Sequence, residues 1–335
     1  MANIRDVARR AGVSPATVSR IINADDGFSV TEETRRRVWT AINALGYLPL
    51  KRSRHASKAA PVIGTILNIT VEGLGDPSFL AILEGAQAEL SKCGASITRF
   101  QAANDALAAL EGMDCPPLDG FLMMHELSGD DAVLLGRAAR HIVAIDSHLD
   151  TLDSVGYDHY AVGKRAAEHL LAQGYRRFAF LYGSMGEKPN LFEEQCLTAF
   201  LHTVQSGGGL VVPDGVVRIG RFAQADCRAA VLRLLAREDR PDALFLTSDL
   251  MAVTAMEAAL GAGLCVGRQL GVMGLSGSAV CEHTAPPLTT MALPLFDMGA
   301  YAASLLLARI GNLASPPVHV LLPAVLTARA STRRA

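Results

Sequence analysis

Apolar residues recur along this chain in two rhythms, and the change between them divides it. Up to about residue 46 the spacing is helical. Ile4, Val7 and Ala8 share one face of a first helix, and Val18, Ile21 and Ile22 share one face of a second. Val38, Ala41, Ile42 and Leu45 form the stripe of a third, over Glu32–Leu45. The punctuation agrees with the periodicity. Asn3 is placed to N-cap the first helix with Asp6 three residues on, and Gly12 supplies the left-handed residue that ends it. Ser14 and Pro15 open the second helix as N-cap and first helical residue. Thr31 caps the third, with Val30 as a hydrophobic staple and Gly46 as the stop. Three short helices in some fifty residues make a small domain that folds alone.

From Val62 onward short apolar runs alternate with longer amphipathic stretches. The runs predict strands over Val62–Ile69, Ser96–Phe100, Gly120–Met124, Ile142–Asp146, Arg177–Tyr182, Val216–Ile219, Ala243–Thr247 and Gly271–Gly274. The stretches between them predict helices over Phe79–Lys92, Asp130–Arg140, Ala161–Gln173, Phe192–Gln205, Ala223–Arg237 and Leu250–Ala262. Such alternation gives doubly wound parallel sheets. It restarts after residues 154–158, which predicts two similar α/β lobes rather than one long sheet. Ligands of such sheets sit at the carboxyl ends of the strands, so a cleft between the lobes is the expected site. The expected organisation is an all-α helix-turn-helix head (1–46), a linker (47–60) and a two-lobed α/β body (61–335). The first lobe is expected over about 61–158 and 290–320, the second over 159–289 and 321–335.

Charge sharpens the division. Residues 1–58 hold eleven lysines and arginines against five acidic residues, a net +6. The full chain has 31 basic and 33 acidic residues, which leaves 20 against 28, or −8, for the remainder. A basic head on an acidic body is the electrostatic footprint of nucleic-acid binding by the head alone. The linker carries Lys51, Arg52 and Arg54 and little periodicity, which suits a segment that orders on phosphates. With 50% hydrophobic and 19% charged residues, the body is expected to be compact. No run of eighteen apolar residues or signal-peptide core is present, and the six cysteines show neither CxxC pairs nor paired metal spacing. A reduced, cytoplasmic protein without cofactor, metal or membrane contact is expected. Phosphate-loop, GxSxG, HExxH and strand-linked GxGxxG motifs are all missing, which argues against the commoner enzyme classes.

The second helix turns Ala16, Thr17, Ser19, Arg20 and Asn23 away from its apolar face, short polar groups and one arginine that fit a major groove. At these residues the chain resembles the LacI/GalR family of bacterial transcription regulators. The segments IRDVARRAGVSPATVSRIIN, VTEETRRRV and ALGYLP carry the likeness in the head. DSVGYDHYAVGKRAAEHLLAQGYRRFAFLYG, ALFLTSDLMAVTAMEAALGAGLCVG and APPLTTMALPLFDMGAYAASLLLARI carry it through the body. The longer ADDGFSV loop is similar to the galactoside-type branch. The resemblance implies a type I periplasmic-binding-protein-like body and a homodimer whose two heads grip double-stranded, palindromic operator DNA. It also implies a small, carbohydrate-like effector in the cleft, with repression as the commoner outcome. By position, Pro15, Ala16 and Arg20 would read base edges, and Ser14, Thr17, Ser19 and Asn23 would grip phosphates. Asp76, Phe79, Asp146, Phe222, Ser248, Asp249 and Ser276 would face the effector, the carboxylates accepting its hydroxyls and Phe222 stacking on it.

The departures from the family pattern carry expectations of their own. Cys196 stands where the family places an arginine that forks onto the effector. Gly274-Leu275-Ser276-Gly277 replaces a segment that ends in carboxylates. Two lost anchors imply an effector that is less polar or differently oriented, or none, and arginine at 196 with aspartate at 277 would restore them. In the linker, Arg54 is kept, but Ala56 occupies the position of the leucine that wedges the minor groove, which implies less DNA bending.

Overall fold

The computed structural model describes residues 4–22, 30–45, 60–67, 77–102, 118–124, 139–147, 150–184, 191–220, 222–311 and 315–334. Asn3, Asn23, Gly46, Arg54, Ala56, Asp76 and most of the predicted 130–140 helix lie outside them.

The head contains α1 (Ile4–Ala11), α2 (Pro15–Ile22) and α3 (Glu32–Leu45). Their apolar stripes meet in one core, in which Val7, Val18 and Val38 are wholly buried beside Ala8, Ala11, Ile21, Ala41 and Ile42. Val30, expected as a staple, packs against this core with Ile4, Val13, Trp39 and Leu45. Gly12 takes the left-handed conformation, φ +65°, that lets α1 stop and the chain turn into α2.

Among the described residues the body holds two six-stranded sheets. In the first are β1 (Val62–Leu67), β2 (Ser96–Ala102), β3 (Gly120–Met124), β4 (Ile142–Ile145), β5 (Asp153–Tyr157) and β11 (His319–Leu322), in the order β11-β5-β4-β3-β1-β2. The second has β6 (Arg177–Ser184), β7 (Leu210–Gly220), β8 (Ala243–Leu246), β9 (Gly271–Ser276), β10 (Thr289–Ala292) and β12 (Val325–Thr327), in the order β12-β10-β9-β8-β6-β7. Pairing is parallel from β2 to β5 and from β7 to β10, whereas β12 runs antiparallel to β10. In both sheets the order of strand addition reverses at the same point, between β1 and β3 and between β6 and β8, as in doubly wound folds. The helices are α4 (Pro77–Ser91), α5 (His159–Ala172), α6 (Leu191–Ser206), α7 (Gln224–Leu235), α8 (Asp249–Gly261), α9 (Val280–His283) and α10 (Leu295–Ile310). Among the described residues no helix is long and apolar enough to cross a membrane.

Strands β3 and β8 are buried on both faces, which is why they read as unbroken apolar runs. Strands β5, β10, β11 and β12 and helix α10 were not predicted as elements. Strand β7 is longer than expected: Pro213, Asp214 (φ +55°) and Gly215 form an excursion, so Phe178 pairs with Val211 but Phe180 with Val216. Helices approach one another through glycine. A Cβ on Gly163 of α5 would collide with the Cys196 carbonyl of α6. Gly85 of α4 and Gly299 of α10 meet the partner helix's backbone at Phe296 and Ile82 in a reciprocal crossing.

Polar side chains tie the late segments in. Asp153 on β5 receives a two-pronged grip from Arg309 of α10, Nε to Oδ2 and Nη2 to Oδ1 at 2.6 Å each, and also accepts the Val318 N–H at 2.8 Å. Arg309 donates further to the Ser315 and Pro316 carbonyls, so β11 is anchored through the same guanidinium. In the second unit, Ser331 donates to the Val272 carbonyl and accepts the Thr289 N–H, while Thr332 bonds both Thr289 and His169.

Two outcomes follow from these ties. Arg309→Ala strands a carboxylate that is 6% exposed, and a loss of about 3–5 kcal/mol is expected in denaturant melts. Burial lowers the pKa of His169, and of His141, below the ordinary value of 6.5. The unfolded chain therefore takes up protons that the folded chain resists, and stability falls as pH drops below about 6.5. Melting temperatures measured between pH 7.5 and 5.5 should decline, and His169→Asn should flatten the slope.

Candidate DNA-reading helix and effector site

Helix α2 is presented by its cap. The Ser14 Oγ accepts the Thr17 N–H at 3.0 Å and lies 2.8 Å from the Thr17 hydroxyl. This satisfies an amide that the first turn would otherwise leave open. Thr31 does the same for α3 through the Thr34 N–H at 3.3 Å. With Val18 and Ile21 committed to the core, the remaining face of α2 is outward: Pro15, Ala16 and Arg20 are exposed, and Thr17 and Ser19 are half-buried. Arg5, Arg9 and Arg10 of α1 and Arg36 and Arg37 of α3 are also exposed, so the head surface is cationic. Such an arrangement places a short polar helix face among phosphate-seeking side chains.

The second candidate site lies at the carboxyl ends of the second sheet's strands. Phe222, two residues past β7, takes φ +54° and lays its ring over Gly183 of β6, where any Cβ would collide with the ring. The Gly183 N–H donates to the Thr247 hydroxyl at 3.0 Å, which joins the ends of β6 and β8. Ser248 is the N-cap residue of α8 and is buried. Asp249 follows and is 1% exposed. Its Oδ2 accepts from the Ser276 hydroxyl at 3.0 Å, the Ser278 N–H at 2.7 Å and the Ser278 hydroxyl at 2.9 Å. Its Oδ1 accepts from Thr290 at 2.6 Å. Gly274 makes room for it, since a Cβ there would strike the carboxylate. Burial, together with the Asp249 charge, pushes the neighbouring Cys281 thiol up to about 12 and keeps it protonated.

Of the sequence-derived effector residues, Phe222, Ser248, Asp249 and Ser276 thus come to the ends of adjacent strands. Asp146 follows β4 in the other sheet at φ +53°, its N–H bonded to the Val155 carbonyl and its carboxylate beside Gly156. Phe79 is half-buried in the first turn of α4. Cys196 is buried in α6, where burial pushes its thiol up to about 12. Thr247, Ser278 and Thr290 were not singled out from the sequence, because isolated hydroxyls carry no periodic or spacing signal.

The expectation that aspartate at 277 would restore an anchor meets an obstacle. Gly277 has φ +81°, and a Cβ there would lie 2.6 Å from the Ala292 Cβ and 2.7 Å from its Cα. Gly277→Asp is therefore expected to cost about 1–3 kcal/mol through overpacking and a left-handed backbone, read as a lowered melting temperature.

Residues 3–49 match the lacI family of bacterial regulatory proteins, and residues 167–332 match a periplasmic binding protein-like domain. The HTH-type transcriptional repressor MelR of Bacillus subtilis (strain 168) is 30% identical over 346 residues, covering 99% of this chain and 97% of that protein. A solved complex of the transcriptional regulator CelR with cellobiose is 26% identical with a TM-score of 0.70, covering 99% of this chain and all of that one. The lac repressor dimer bound to operator and the anti-inducer ONPF shares the fold, with a TM-score of 0.69 at 24% identity and 99% of each chain covered. A likeness that runs from the capped head to the final strands makes this chain a member of the lacI family of bacterial regulatory proteins, a DNA-binding transcriptional regulator.

Proposed function

We propose that the protein is a cytoplasmic, non-enzymatic repressor, which as a homodimer grips a palindromic operator and answers to a small effector. The reading rests on one observation above others: α2 is capped, anchored by Val18 and Ile21, and offers Ala16, Thr17, Ser19 and Arg20 outward. We take 1–46 as the reading head, 47–60 as the linker and 61–335 as the body, as the sequence suggests. Arg20 and its neighbours read base edges in the major groove, while Ser14, Thr17 and Ser19 hold phosphates and fix the register. The net +6 on residues 1–58 draws the head to DNA, and the −8 of the rest keeps the body off it.

Phe222 offers an apolar face, and the half-buried Ser276 and Ser278 hydroxyls beside Asp249 offer polar contacts, to an effector at the second sheet's strand ends. The effector must favour one arrangement of the dimer over another, and a coupling of about 1–3 kcal/mol makes a useful switch. The cellobiose in the solved CelR complex makes neutral disaccharides the first probes.

Fluorescence anisotropy on DNA from the protein's own promoter region tests the reading. Arg20→Ala is expected to weaken specific binding roughly 5- to 150-fold, the size of one base-reading contact. Removal of residues 1–60 should abolish binding while the body keeps its melting transition. Specific binding that survives the deletion would overturn the assignment of DNA reading to the head.

A further inference from the structure

The protons around Asp249 decide what the effector site can recognise. A carboxylate only accepts hydrogen bonds, and a serine hydroxyl has a single proton to give. The Ser276 and Ser278 hydroxyls both direct that proton to Asp249 Oδ2, and Thr290 directs its own to Oδ1. The Ser278 amide also points at Oδ2, and the Cys281 thiol lies 3.9 Å from the Ser278 hydroxyl. Each donor around the carboxylate is thereby turned inward. Thr290 is wholly buried, whereas Ser276 and Ser278 are half-buried; Ser276 holds the last position of β9, next to the exposed Gly277, and has one partner, where Ser278 is held by both its amide and its hydroxyl. Ser276 also adopts φ +132°, a conformation L-residues rarely take and one that recurs where a site holds a side chain in place.

We infer that Asp249 fixes the polarity of the effector site: it makes Ser276 an obligate hydrogen-bond acceptor, so the effector presents an O–H or N–H there and not an anionic oxygen. The inference rests on the proposed effector site and adds the chemistry of its ligand. A phosphate or carboxylate oxygen placed on Ser276 would meet a lone pair with no proton between them, and would stand behind one hydroxyl from the Asp249 charge. A sugar hydroxyl or an amine meets the same lone pair as a donor. Asp249 acts as a positioning residue, since at 1% exposure its own oxygens are already taken up by the chain.

Calorimetric titration of the full-length protein tests this with glucose and cellobiose as neutral, hydroxyl-bearing probes and sulfate and acetate as anionic ones that have no proton to donate. A neutral probe is expected to bind, with affinity lowered about three- to tenfold in Ser276→Ala, the size of one neutral hydrogen bond, while the anionic probes give no heat. Ser276→Gly, which suits the positive φ, replaces Ser276→Ala should the latter fail to fold. Binding of an anionic probe that weakens in Ser276→Ala would overturn the polarity inference and leave the effector site standing. Binding lost in Phe222→Ala but unchanged in Ser276→Ala would also overturn it alone. Binding unchanged in both variants, or silence from all four probes, would overturn the inference and the proposed effector site together.

Discussion

A charge taken out of water must be met by donors, and the second sheet is organised around that demand. Asp249 begins α8 directly after β8, so its carboxylate is delivered to the sheet by the chain's own course. The four bonds it accepts come from the end of β9, the segment after it and the first half of β10, which ties the ends of β8 and β9 to β10. An unpaired buried carboxylate would cost several kcal/mol, so these partners are required rather than optional. The local backbone accommodates them: Ser276 and Gly277 both sit at positive φ, and Gly274 lacks the Cβ that would block the approach. The placing of the Ser276, Ser278 and Thr290 hydroxyls at this end of the sheet follows from satisfying that one group.

The first sheet solves a related problem differently. Asp153 and Arg309 are both charged and both largely buried, and a two-pronged geometry with extra backbone partners takes up most of the bonding capacity of each. The pair joins β5 to α10, so a late stretch of chain returns to an early sheet. Glycines make the accompanying helix contacts close. At Gly85 and Gly299 two helices exchange backbone contact in both directions, a fit that any side chain would prise apart.

How far the sequence could be read follows from where the information lies. Strand β3 was legible to the residue, because a strand buried on both faces has to be apolar throughout. The head was legible in its caps, since Gly12, Ser14 and Thr31 act within three or four residues of where they stand. Strands β5 and β10 were not, for the opposite reason. Their Asp153, Ser154, Thr289 and Thr290 look like loop residues until their partners at 309, 319, 329 and 249 are known, some 40 to 165 residues away. The candidate effector site shows the same split. The aromatic Phe222 and the acidic Asp249 stand out as residue types, but the bonds that turn Asp249 inward, and with it the protons of Ser276 and Ser278, depend on folding.

The division of charge bears on how such a regulator is driven. The cationic head gains most of its attraction to DNA from counterion release, a term indifferent to sequence and to anything bound to the body. An effector at the proposed second-sheet site would therefore leave individual phosphate contacts as they are. It has to act on geometry, on whether two heads meet two half-sites at once, where a small change in orientation removes one head's whole contribution. That places a rigidity requirement on the body. A ligand worth a few kcal/mol can bias the position of a lobe only if the lobe moves as a unit. The Asp249 cluster at one end of the second sheet and the Ser331–Thr332 clasp at the other give that sheet the stiffness to do so.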